Sequence, residues 1–121
     1  MVSRDRTSAL RALLAYELPV EPVLAELAQY GWDAAQPFVT LTLVDVVRIL
    51  DRYLDGALSS EQVTDWADLV ECRDDIAYPE TDHEVLSAAI FRLANPSLEG
   101  DVTIEVAEEL KRELVSREHH G

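Results

Sequence analysis

Apolar side chains along this chain recur every three or four residues, in stretches bounded by proline, glycine or short polar side chains. That spacing places them on one face of a helix and leaves little that alternates as a strand would. Thr7 to Glu17 puts Ala9, Leu10, Leu13 and Leu14 on one side, and Pro19 stops the segment. A second helix follows with Pro22 in its first turn, Val23, Leu27 and Tyr30 on a shared face, and Gly31 as its C-terminal stop. Residues 32–41 form the longest connection, in which "FVTLT" suits a short extended piece but not a sheet. Thr42, with Asp45 three residues on, opens a third helix to about Leu54 that is apolar over most of its circumference, which places it centrally. Ser60 to about Cys72 is the fourth, with Val63, Trp66, Ala67 and Val70 inward. Thr81 and Glu84 spell a capping box for a fifth helix, through Val85, Leu86, Ala89, Ile90 and Leu93 to Asn95 and Pro96. Thr103 caps the last, with Ile104, Ala107, Leu110 and Leu114 on its apolar side. The prediction is an all-α, single-domain bundle of about six short helices over residues 1–121, with an N-terminal helical hairpin (1–35) and core helices (42–118).

The turn between the third and fourth helices, "DRYLDGALSSEQ", also approaches the calcium-loop pattern D-x-[DN]-x-[DN]-G-x5-E. Asp51, Asp55, Gly56 and Leu58 fit it. Tyr53 and Gln62 stand where two ligating carboxylates are needed. A hairpin uses every residue of the string: Gly56 suits the left-handed position after one helix, and Ser59 and Gln62 form a capping box for the next. Leu58 and Val63 then fall at the two positions of a hydrophobic staple. "RALLAYELPVEPV" from Arg11 and "RILDRYLDGALSSEQV" from Arg48 share an arginine, a tyrosine five residues on and L-x-x-E-x-V, which two hairpins with similar turn chemistry explain without a duplicated unit.

Apolar residues make up 48% of the chain, yet no run approaches the roughly 18 to 20 needed to span a bilayer. The first segment is interrupted by Arg11 and Glu17, unlike a signal peptide, so the expected location is the cytoplasm. Cys72 is the single cysteine, which excludes an internal disulfide and a thiolate zinc cluster and reads as a half-buried apolar filler. His119 and His120 lie at a frayed end and are expected to bind nothing specific.

Charge sets this chain apart from an ordinary small bundle. With 24 acidic and 10 basic side chains the formal net charge is -14, and the excess is local. From Glu61 to Glu84 nine carboxylates face the single Arg73, a net of -8 in 24 positions. Glu61, Asp65, Asp68 and Asp75 recur at helical spacing opposite the Val63, Trp66 and Val70 face, which predicts an outward acidic ridge continuing into "RDDIAYPETDHE". Like charges at this spacing repel by a few tenths of a kcal/mol per pair, so folding gains nothing from them. Such a surface keeps a protein dispersed, repels nucleic acid and accelerates encounter with a basic protein.

No GxGxxG, P-loop, HExxH or nucleophile-elbow pattern is present. Asp74, Asp75, Asp82, His83 and Glu84 include consecutive positions that point apart, a poor start for a cation site, and Cys72 has only His83 as a conceivable base. The expectation is therefore a non-enzymatic protein with no metal and no cofactor. "VVRILDRYLDGALSSEQVTDWADLVECRDDIAY" resembles the small acidic helical immunity proteins of the colicin D type, through Tyr53, Leu54, Gly56, Leu58, Ser59, Glu61 and Trp66. The resemblance covers about a quarter of the chain and implies binding to a basic RNA-cleaving toxin domain, with carboxylates standing where RNA phosphates would lie. The expected partner-binding residues are Glu61, Asp65, Asp68, Glu71, Asp74, Asp75, Tyr78 and Asp82, with Tyr78 as the anchor and Trp66 in the core. The alternative is a self-associating structural or regulatory protein that dimerises through the N-terminal hairpin ending at Trp32.

Overall fold

A computed structural model describes residues 5–30 and 36–120, with side chains through Arg117. Gly31, Trp32 and the His119 and His120 side chains, on which expectations were placed above, lie outside the described residues. The element order is α1 (Arg6–Ala15), α2 (Glu21–Ala28), β1 (Val39–Thr40), α3 (Leu43–Leu54), α4 (Ser60–Glu71), β2 (Ile76–Ala77), a 3-10 turn (Glu80–Asp82), α5 (His83–Ala94), α6 (Pro96–Glu99) and α7 (Ile104–His120). The chain is all-α, with one more short helix than the apolar pattern predicts, because Pro96 starts a single turn of its own.

Local chemistry accounts for most boundaries. Asp5 caps α1 by accepting the Ser8 N–H at 2.7 Å. Its C-terminus closes in a Schellman motif earlier than predicted: Tyr16 turns left-handed (φ 50°), its N–H donates to Leu13 O, and Glu17 N–H donates to Ala12 O. Gly56 (φ 83°) closes α3 in the same way, with Gly56 N–H on Tyr53 O and Ala57 N–H on Arg52 O. The two hairpins thus share a turn mechanism, but the repeated tyrosines are not equivalent, since Tyr16 is the left-handed residue and Tyr53 lies inside α3. Capping boxes at Thr42 with Asp45 and at Ser59 with Gln62 are both formed.

Thr81 and Glu84 do not form one. Pro79 leads instead into the 3-10 turn, α5 starts at His83, and its N-cap Asp82 makes no side-chain capping bond. Ile104 is also corrected: it is exposed, and Val102, just ahead of α7, takes the buried place. The "FVTLT" segment does enter a sheet, a minimal one in which Val39 and Thr40 pair in parallel with Ile76 and Ala77.

A single apolar core draws on α1 to α5, α7 and both strands. α4 packs most extensively on α5, and α3 on α7. α3 is less central than its sequence suggests: Leu43, Val46, Ile49 and Leu50 are buried, while Val44 faces outward. The largest fully buried side chain is that of Trp66 on α4, whose indole N–H donates to Leu13 O of α1 at 3.0 Å. That bond satisfies a polar group that would be costly to bury alone. Ala9, Leu10, Ala12, Leu13 and Leu14 of α1 are all buried in the intramolecular core.

Candidate protein-docking surface

α4 is amphipathic in the sense its sequence dictates. Val63, Trp66, Ala67 and Val70 are buried, and the opposite stripe of Glu61, Asp65 and Asp68 is exposed. Glu71 ends the helix beside it and Asp74 follows in the next turn, both exposed. Among the described residues none of these five carboxylates has a hydrogen-bonded or ion-paired cation.

Asp75 leaves the ridge. The helix has ended at Glu71, so heptad spacing no longer applies, and Asp75 is fully buried. Arg73 donates to both of its carboxylate oxygens at 2.9 Å, and Arg6 of α1 reaches it with Nε at 3.0 Å and NH2 at 2.9 Å. Burial alone would push the Asp75 carboxyl up, but hydrogen bonds from Arg73 and Arg6 outweigh it and hold the group below its ordinary value. The Arg6 guanidinium also lies over the Phe38 ring, 4.6 Å from its centroid. Asp75 therefore ties α1 to the strand pair and is not available to a partner. Asp82 is partly neutralised as well, accepting Arg117 Nε at 3.1 Å.

Two clefts flank the remaining stripe. At the C-terminal end of α4 a cleft of about 610 Å³ is bordered by Glu71, Asp74, Tyr78, His83 and Phe91. Tyr78 is half-buried and its ring meets that of His83 at 5.6 Å. Burial, with a smaller contribution from the Glu71 charge, pushes the Tyr78 phenol up, so it remains a neutral hydroxyl at physiological pH. At the other end a cleft of about 540 Å³ brings Asp101 beside Glu61 and Asp65. Phe91 and Asp101 were not anticipated. Phe91 is 42% exposed, and the signal for it was present, since it falls off the Leu86, Ala89, Ile90 and Leu93 face of α5. Asp101 lies in a loop, where no periodicity announces its neighbours.

Cys72, expected half-buried, is exposed at the end of α4. Partial desolvation and then the charges of Asp68 and Glu71 push its thiol up, opposite to the activation a nucleophile needs. The calcium-like string is a helical hairpin in which Asp51 pairs with Lys111 of α7. Among the described residues no group of three or more histidine, cysteine or acidic side chains converges as a metal site would, and no helix is long and apolar enough to cross a membrane.

These features define an all-helical fold carrying an acidic stripe between two clefts, with no ion-paired cation on it among the described residues. No family profile, curated protein or solved structure matches the chain significantly.

Proposed function

We propose that this protein is a non-enzymatic binding protein that engages a basic protein partner through the outward stripe of α4 and the cleft beside its C-terminal end, and that the partner is an RNA-cleaving toxin domain neutralised by this contact. The observation that carries the reading is the set of Glu61, Asp65, Asp68, Glu71 and Asp74, exposed on one side and without intramolecular counterions among the described residues. Carboxylates so arranged raise the encounter rate with a cationic surface and suit one built to hold phosphates. Exposed charges contribute little affinity. Affinity comes from desolvated aromatic anchors, and the cleft presents Tyr78 and Phe91 next to the charged rim. The resemblance of the α3–α4 hairpin to colicin D-type immunity proteins supports the same partner class.

The test is stopped-flow association with a basic RNA-cleaving toxin domain of the colicin D type, paired with an RNA-cleavage assay. The triple variant D65K/D68K/E71K should keep its melting temperature within a few degrees yet associate at least about tenfold more slowly near 50 mM salt, a difference that shrinks near 0.5 M. Phe91→Ala should act mainly on dissociation. Equal association rates for wild type and triple variant at low salt would remove the stripe from the interface. Asp75 has no place in this variant, because its burial makes reversal there a folding lesion.

A further inference from the structure

The cations follow a different pattern from the carboxylates. Among the described residues the cations are mostly satisfied internally: Arg6 and Arg73 by Asp75, Arg92 by Glu109, Arg117 by Asp82 and Lys111 by Asp51. Arg11, Arg48 and Arg112 have no hydrogen-bonded or ion-paired partner there. Two of these three, Arg11 from α1 and Arg48 from α3, line one cleft of about 560 Å³. In a chain of net charge -14, leaving two guanidiniums uncompensated in one concavity runs against the general balance.

The cleft is also built. Arg52, one turn after Arg48 on α3, lines it too and is pinned there, its NH1 donating to Ala15 O at 2.7 Å and Tyr16 O at 3.0 Å. Leu14 and Val39 supply buried apolar wall, and Thr40 adds a hydroxyl. Two carboxylates border the space: Asp51 pairs with Lys111, and Asp45, turned back onto the Thr42 N–H and hydroxyl, keeps its charge, so three guanidiniums face one carboxylate that has no cation bound to it. The volume falls within the roughly 300–1,000 Å³ typical of small-molecule sites. Planar guanidiniums are the donors that recognise carboxylate and phosphate oxygens in pairs.

The geometry points to a second binding site, independent of the acidic stripe, in which Arg11, Arg48 and Arg52 hold a small organic oxyanion, a phosphate ester or a carboxylate, whose apolar body lies against Leu14 and Val39. Arg11 and Arg48 supply the charge. Arg52 is the fixed element, held in register by the C-terminus of α1.

Phenyl phosphate and benzoate are the probes, titrated into the full chain and followed by amide chemical shifts and thermal melting, with chloride matched in ionic strength as the blank. The expected result is saturable shifts centred on Thr40, Thr42 and Arg48, with a rise in melting temperature beyond that of chloride, for at least one probe. Which probe binds more tightly assigns the phosphate or the carboxylate source. Both substituted arginines are exposed, so R11Q/R48Q should fold normally and bind at least about tenfold more weakly. Arg112→Gln, removing the same charge elsewhere, should bind as wild type. Neither probe exceeding chloride, or R11Q/R48Q binding as well as wild type, would overturn the site. Concentration-dependent self-association abolished by R11Q/R48Q, with no probe binding, would overturn it too and assign the cleft to the acidic stripe of a second copy.

Discussion

Asp75 shows how one side chain can change role with context. Read along the sequence it extends a row of carboxylates; in the fold it is fully buried between Arg73 and Arg6, the latter 69 residues away. Removing the shared member of such a cluster weakens all of it, so Asp75→Ala should cost about 3–5 kcal/mol in urea unfolding, because the buried Arg73, and Arg6 with it, lose the carboxylate they share. The pH dependence follows from the depressed carboxyl. An unfolded aspartate titrates near ~3.9, so the stabilisation is fully present above that value and is lost as pH falls through the lower folded value. Wild type should therefore lose stability steeply below about pH 4, and Asp75→Asn should start lower and lose less over the same interval. Parallel unfolding stabilities for the two proteins from pH 5 into acid would mean that the Asp75 carboxyl is not held below its unfolded value.

Helix ends make a sharper comparison, because two sequence signatures of the same type have different fates. Ser59 with Gln62 and Thr81 with Glu84 both fit a capping box; only the first is formed, with Gln62 N–H on Ser59 Oγ at 3.1 Å and Ser59 N–H on Gln62 Oε1 at 2.9 Å. Ser59→Ala should cost about 1 kcal/mol by chemical denaturation, and Thr81→Ala should stay within about 0.5 kcal/mol. Capping is legible in sequence because donor and acceptor lie three residues apart, and Thr42 and Thr103 bear this out through Asp45 N–H and Val106 N–H. It misleads where a neighbouring constraint intervenes, here Pro79 and the 3-10 turn it begins. Docking of the elements is not local in this way. α3 carries apolar residues almost all round, yet Val44 remains outside because only part of its circumference meets α7, α1 and α4.

For the molecule as a whole, a net charge of -14 with an exposed acidic stripe means that folding works against self-repulsion. The melting temperature at neutral pH should rise by a few degrees as sodium chloride increases from about 10 mM to 0.5 M, since screening acts on exposed charges beyond its length of roughly 10 Å at 0.1 M. The isosteric D65N/D68N/E71Q protein should start higher and respond less, each relieved pair contributing a few tenths of a kcal/mol. Calorimetry at fixed pH checks both. A flat salt response in wild type would show that the stripe imposes no cost on folding, and would favour dispersal in water as its role.

Periodicity and capping act within a turn or two of chain, so the helices, most of their caps, the inward Trp66 and the outward Glu61, Asp65 and Asp68 are all legible in the order of residues. It takes the packed fold to show that Asp75 turns inward onto Arg6, that Phe91 borders the cleft at Glu71, and that Arg11 of α1 and Arg48 of α3 line one cleft. Those relations join residues far apart in sequence, and they are set by how whole helices pack, which no local pattern encodes.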